Sequence, residues 1–266
     1  MPVADDVVWF KACAPVQAFE PRLSAQLFAR WPDHVAEVLA HDEDRAWLLL
    51  ADAGKPIGDF GNPPEAWLAV LPPYAELQRG EAAHAHDHLS HAVPDMRVEL
   101  LAARVEQALP SDLPLDPDEI RQLRAFVPRL AELCEELSDY GIPDTVQHDD
   151  LHMANVYERD GHLRVLDWGD SCISHPFASL YVTFLFLEWV TKLPPGSAWP
   201  ETLRDAYLEP WGPGLEEAFV LAQRVAAFAH AAAWTRQRDH LPPEERPKFD
   251  PHFAEILREA LARTIE

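Results

Sequence analysis

The sequence predicts an α+β chain of two unequal parts, a small one containing strands at the N-terminus and a large, mostly helical one after it. Three observations carry this reading. Short runs of β-branched, aromatic and aliphatic residues bounded by polar turns fill the first fifty or so residues. From Pro64 onward apolar residues recur mostly at helical spacing. Set among those helices is one polar stretch, His148 to Asp170, in which the apolar run Leu163 to Leu166 leads into Asp167. A buried strand delivering a carboxylate to a cleft has that pattern.

Taken in order, Val7-Val8-Trp9-Phe10 is strand-like, ends at Lys11 and is broken by Pro15. Glu20-Pro21 opens a helix with proline in its first turn. Leu23, Leu27, Phe28 and Trp31 give that helix one apolar face, and Pro32 stops it. Val35 to Ala40 and Ala46 to Leu50 read as two strands around the polar turn His41 to Arg45. Ala51 to Gly54 reads as a linker, which divides the chain into residues 1–53 and 54–266. Glu65 to Arg79 is helical with a break expected at Pro72-Pro73. Met96 to Leu109 and Asp118 to Leu137 predict long helices. The second has Asp116 and Pro117 at its start and Gly141-Ile142-Pro143 at its end. Further helices are expected at Phe177–Val190, Pro200–Tyr207, Leu215–Asp239 and Pro251–Ile265. No internal repeat is evident.

Lys and Arg number 22 against 45 Asp and Glu, a formal net charge of -23. Such a surface repels nucleic acid and anionic membrane, and neither is expected as a partner. It attracts cations, including amine-bearing small molecules, although solubility alone also accounts for it. The three cysteines, Cys13, Cys134 and Cys172, have no metal-binding spacing and read as reduced thiols. No apolar run reaches the ~18 residues that span a bilayer. The most apolar stretch, Tyr181 to Val190, carries Glu188 and reads as a core helix of a cytoplasmic protein. His84, His86, His88 and His91 form a cluster in which the His84–His88 spacing suits a transition metal, but a solvated surface is the expected setting.

The chemistry concentrates in the central stretch. Asp150 and Asn155 lie five residues apart on a segment too polar for core, and Asp167 ends a strand. Oxygen ligands of this kind suit a hard cation such as Mg²⁺, which takes one or two protein oxygens and fills its shell with water and phosphate. An Asn and an Asp meet that need and leave Asp150 to act on a substrate hydroxyl as base or orienter.

The pattern His148-x-Asp150-x-x-x-x-Asn155 followed by Asp167-x-Gly169 resembles the catalytic and metal-binding loops of the protein-kinase-like fold. With Leu-His after Asp150 and Asp-Trp in the second loop, it is most similar to the aminoglycoside phosphotransferase and choline kinase branch. The resemblance implies a two-lobed fold and an ATP- or GTP-dependent transfer of a phosphoryl group to a small-molecule hydroxyl, with Mg²⁺. It implies Asp150 as the catalytic base, Asn155 and Asp167 as metal ligands, and His148 as support for the catalytic loop. It implies Lys11 as the phosphate-binding lysine and Glu20 as its ion-pair partner. The hinge at Ala51 and Asp52 would hold the base through backbone groups. Asp170 supports the site as a second metal ligand, a substrate contact or a cap.

The chain departs from that branch in three places. Only ten residues precede Lys11 and none is glycine, so the Gly-rich phosphate-covering hairpin is missing and the smaller lobe reads as truncated. A nucleotide-binding pseudoenzyme is therefore the alternative function. Asp149 stands where the branch usually has Gly, and its side chain is expected to point away from the cleft. His175 and Ser179 replace acidic residues in the loop after Asp170. The acceptor is expected among the C-terminal helices.

Overall fold

The structure is a computed structural model and describes residues 2–3, 6–109, 115–194 and 196–265. The N-terminal part is an antiparallel sheet in the order β1-β2-β4-β3, made of β1 (Pro2–Val3), β2 (Asp6–Ala12), β3 (Val38–Asp42) and β4 (Trp47–Ala51). Helix α1 (Glu20–Arg30) packs against β3 through a face that includes the buried Leu23 and Leu27. In the β2–β4 register Lys11 lies opposite Leu48 and Trp9 opposite Leu50. Side chains alternate across a strand, so Lys11 and Trp9 share one face. Phe10 belongs to the other face, where it meets Trp47 edge-on at 5.5 Å.

The chain then enters the larger part through β5 (Lys55–Pro56), which pairs with β7 (Val156–Arg159) of the hairpin β7–β8 (His162–Val165). The short strands β6 (Thr145–Gln147) and β9 (Cys172–Ser174) form a separate ladder on either side of the central stretch. Around these lie α2 (Pro64–Glu81), α3 (Ala85–Ser90), α4 (Val98–Gln107), α5 (Pro117–Ser138), α6 (Leu180–Phe186), α7 (Trp199–Leu208), α8 (Glu216–His240) and α9 (Arg246–Ile265). Helix α8 is the central one. Its buried alanines, Ala226, Ala227, Ala229 and Ala231 to Ala233, let it lie close to α4, α5 and α9. The two parts are joined through β8, where the Val165 amide donates to His34 O at 2.9 Å and Val165 O accepts from the Ala36 amide at 3.3 Å.

Four expectations differ from the structure. Helix α2 runs unbroken through Pro72 and Pro73. The prolines withdraw the amides that would have bonded Leu68 O and Ala69 O. Both residues face solvent, so water can satisfy those carbonyls. Helix α9 starts at Arg246 and includes Pro251. The helix expected over Phe177–Val190 is a 3₁₀ turn at Pro176–Ser179, then α6, then a π-helical turn at Leu187–Thr191. The histidine cluster is not wholly surface: His88 is buried, with Nε2 2.8 Å from Glu81 Oε2. Among the described residues no group of three or more His, Cys, Asp or Glu is placed to hold a metal, and no helix is long and apolar enough to cross a membrane.

Candidate active site

His148 joins the two site loops. Its Nδ1 accepts the Asp150 amide at 3.3 Å, which requires the proton on Nε2, and Nε2 donates to Leu166 O at 2.8 Å. The ring packs on Trp168 at 4.9 Å, and burial lowers its pKa, so the neutral form persists. A second tie lies beside it, from the Leu166 amide to Asn155 O at 2.8 Å. Asp150, Asn155 and Asp167 are thus set around one imidazole and one backbone bond.

The Asn155 side-chain amide points its nitrogen at Asp150, donating to Asp150 O at 2.9 Å and to Oδ2 at 3.0 Å. Its Oδ1 is left facing elsewhere, which is the orientation an oxygen ligand requires. His152 brings Nε2 to 3.3 Å from the same Asp150 Oδ2, while its Nδ1 accepts the Ala154 amide at 3.1 Å. The His152 ring stacks on Phe186 at 4.4 Å. Burial works to raise the Asp150 pKa, but the His152 bond and charge outweigh it and the net direction is down. Oδ2 is held by two donors. Oδ1 has none among the described residues, and it is the atom that could take a hydroxyl proton.

Lys11 crosses from the sheet to this loop. Its Nζ is 2.6 Å from Glu20 Oε2 and 2.5 Å from Asp167 Oδ1. Desolvation works against the ammonium, but Glu20 and then Asp167 outweigh it and raise the lysine pKa. Glu20 is buried at the first turn of α1, where the helix dipole also favours an acid. Gly169 makes the close approach possible: a Cβ there would stand 2.8 Å from both Glu20 Oε2 and Gln17 Nε2.

Asp170 Oδ1 accepts from Gln17 Nε2 at 3.0 Å and from Gln237 Nε2, one amide from each side of the cleft. Burial, with the Asp150 charge next, pushes its carboxyl up to about 6. Asp149 has a left-handed backbone (φ 62°) and turns inward. Its buried Oδ1 accepts from Gln147 Nε2 at 3.1 Å and lies 3.4 Å from His230 Nδ1 on α8.

Ala51 ends β4, and the Asp52 carbonyl accepts from Arg159 Nη1 at 2.6 Å. The Asp52 carboxylate takes the Trp9 indole at 3.2 Å. Trp9 is 59% exposed on the face that carries Lys11, nearer than that lysine to the Ala51 end of β4.

Sequence reading missed a buried polar network beneath the loops. The Tyr74 hydroxyl accepts the His148 amide at 3.1 Å and donates to Ser179 Oγ at 3.0 Å. Gln78 Nε2 donates to Ser179 Oγ at 2.9 Å and to Val146 O at 3.0 Å, and Tyr207 donates to Gln78 Oε1 at 2.6 Å. Ser179 is therefore a structural hydroxyl beneath the loop that starts at His148. His175 accepts the Phe177 amide at 3.3 Å, and burial lowers its pKa to about 3. The i, i+4 spacing of Tyr74 and Gln78 was the available signal, but it is as common on ordinary helices.

Asn155 and Asp167 fit a hard divalent cation: both offer oxygen, the Asn155 amide is turned the right way, and Asp167 is half-exposed toward the cleft.

Comparison with known proteins gives the same architecture. Residues 50–219 match the phosphotransferase enzyme family, APH. A choline kinase from Streptococcus pneumoniae superposes with a TM-score of 0.67 at 13% identity, covering 98% of this chain and 88% of that one. A Plasmodium vivax ethanolamine kinase superposes with a TM-score of 0.67 at 11% identity, covering 97% and 76%. An aminoglycoside 2'-phosphotransferase, in a GDP complex, superposes with a TM-score of 0.56 at 16% identity, covering 94% and 83%. No curated protein sequence matches the chain. The chain belongs to the APH phosphotransferase enzyme family, has its protein-kinase-like fold and is a small-molecule phosphotransferase.

Proposed function

We propose that this chain moves the γ-phosphoryl group of ATP or GTP to a hydroxyl of a small molecule, most simply an amino alcohol. The observation that carries this reading is the division of labour at Asp150. Oδ2 is fixed by Asn155 and His152, and Oδ1 is left for a substrate proton. The acceptor oxygen forms its bond to the γ-phosphorus while the bridging bond to the β-phosphate breaks. The hydroxyl proton passes to Asp150 Oδ1, and the nucleoside diphosphate leaves. Asn155 and Asp167 would hold Mg²⁺, which supplies charge neutralisation at the phosphates. Lys11, steadied by Glu20, gives a second positive charge there. Catalysis of this kind is positioning and electrostatics more than covalent chemistry.

Residues 1–53 serve as the nucleotide-covering lobe in this reading, and 54–266 as the acceptor lobe. Ala51 and Asp52 border the base, and the exposed Trp9 offers it an aromatic face. The test is a Mg²⁺-dependent thermal shift with ATP and with GTP, followed by nucleotide consumption across hydroxylated amines and sugars. Binding with turnover on one acceptor is expected. Binding with no turnover on any acceptor favours the pseudoenzyme, and absence of nucleotide binding overturns both.

A further inference from the structure

Glu20 opens α1 and Arg30 closes it. Between these two residues the helix rises about 15 Å. Glu20 steadies Lys11, so whatever fixes the far end of α1 also bears on that pair. The far end is fixed by one carboxylate of the larger part. Glu81, the last residue of α2, accepts two hydrogen bonds from Arg30, Nε to Oε1 at 2.7 Å and Nη2 to Oε2 at 2.6 Å. The indole of Trp31, the next residue, donates to Oε1 at 2.7 Å. His88 of α3 donates from Nε2 to Oε2 at 2.8 Å.

Three features make this a clamp and not a surface pair. Glu81 is completely buried, where a carboxylate is costly unless its hydrogen bonds are met. The Arg30 fork is bidentate, which fixes direction as well as distance. Gly80 leaves room for the Trp31 ring, with which a Cβ at that position would collide. Midway along α1, Gln26 adds a bond to Asp87 of α3 at 3.1 Å. At its other end the helix meets Lys11 of β2 and, just beyond that strand, the Cys13 thiol, which donates to Glu20 Oε2 at 3.3 Å.

We infer that Glu81 is a positioning residue of the active site: by clamping Arg30 and Trp31 it makes α1 part of the larger lobe and keeps Glu20 beside Lys11. It acts through the helix and not by contact with the reacting groups. A tilt of about 10° about the clamped end carries Glu20 by about 2.6 Å over that length. This equals the 2.6 Å separation of Glu20 Oε2 and Lys11 Nζ. The inference rests on the phosphotransfer reading for what Lys11 does. Cys13 reports on Glu20 without any turnover. Burial, and then the Glu20 carboxylate, push its thiol up to about 12. Withdrawal of Glu20 lowers that value and raises the thiolate fraction, on which alkylation depends. Cys134 and Cys172 are buried and serve as controls for unfolding.

The test alkylates the parent chain, Glu81→Gln and Trp31→Phe with iodoacetamide at mildly alkaline pH and follows each cysteine by peptide mass spectrometry. Nucleotide KM and kcat are measured on the same proteins. In Glu81→Gln an amide nitrogen faces donors and the clamp loosens. Cys13 alkylation should quicken at least about fivefold with Cys134 still protected, and nucleotide KM should rise about fivefold with kcat nearly unchanged, the lower end of what coupling between distant groups amounts to. In a Lys11→Met background the same substitution should leave KM where it is, because the pair it protects is gone. An unchanged Cys13 rate overturns the assignment, whatever the melting temperature does. So does a KM increase that persists undiminished beside Lys11→Met. If Glu81→Gln exposes Cys134 the chain has unfolded, and Trp31→Phe decides, since it removes one donor and keeps an aromatic ring. A Cys13 rate about twofold above the parent's then supports the clamp, and an unchanged rate overturns it. Faster Cys13 alkylation in a chain that turns over no acceptor overturns the phosphotransfer reading and leaves the clamp standing.

Discussion

Lys11 and Asp167, which come from opposite sides of the cleft, touch directly, with Nζ 2.5 Å from Oδ1. With Glu20 on its other side the lysine is shared between two carboxylates. Divalent metal and phosphate offer each of these groups a stronger partner. Asp167→Ala should abolish the Mg²⁺-dependence of nucleotide binding in calorimetry. The half-exposed pair is worth at most about 1 kcal/mol, so the melting temperature should hardly change. Lys11→Met should instead raise the nucleotide KM, with Mg²⁺-dependence retained. Intact Mg-ATP binding in Asp167→Ala would refute the ligand assignment.

Asp150→Asn keeps the shape of the loop and removes the proposed proton acceptor. Nucleotide affinity should stay within about twofold of the parent. Turnover should fall ~10²–10⁴-fold, the usual contribution of general base catalysis. A variant that loses Mg-ATP binding together with turnover would show Asp150 to be a metal ligand.

Gly169→Ala places a methyl 2.8 Å from Glu20 Oε2 and Gln17 Nε2. Those side chains must move, and Glu20 then leaves Lys11. Nucleotide affinity should drop about tenfold, or about 1.4 kcal/mol, with little change in kcat once nucleotide is saturating. An unchanged affinity would show that the Lys11–Glu20 pair is dispensable.

Glu81 gives a pH prediction away from the site. It is fully buried, and burial alone would raise its pKa. His88, Arg30 and Trp31 donate to it and hold the carboxyl at about 2, below its ordinary 4.5. The depressed value means that the stabilisation is complete above pH 4.5 and is lost as pH falls toward 2. The shift corresponds to about 3 kcal/mol. Urea unfolding of Glu81→Gln should show a deficit of that order at pH 7 that narrows between pH 4.5 and pH 2. A deficit independent of pH would refute the linkage.

Much of the site was legible because the chemistry dictates residue type and spacing. Asp150, Asn155 and Asp167 stand close in sequence, and an apolar strand announces the last of them. Lys11 was readable from its place at the end of a strand before a helix. What was not legible depends on partners far apart in the chain. Tyr74 meets His148 and Ser179, and Gln17 meets Asp170 and, through it, Gln237. No local pattern marks these residues, since a helical Tyr or Gln has the same appearance whether it faces water or a catalytic loop. The break expected at Pro72-Pro73 was a rule applied without its context: the lost bonds fall on a solvated face.

Asp149 occupies a backbone conformation that suits glycine, at a cost of about 1–2 kcal/mol. Its carboxylate is the nearest acidic group to the buried His230, whose pKa is raised despite desolvation because Asp149 faces it. The two positions are therefore entrenched in each other. Asp149→Gly relaxes the turn but leaves the buried His230 without its carboxylate partner, and His230→Leu strands a carboxylate beside Asp150. Only the joint change relieves both, so a double-mutant cycle should show a coupling of ~1–3 kcal/mol. The sequence path by which a glycine could replace this aspartate thus crosses a valley of less stable single substitutions.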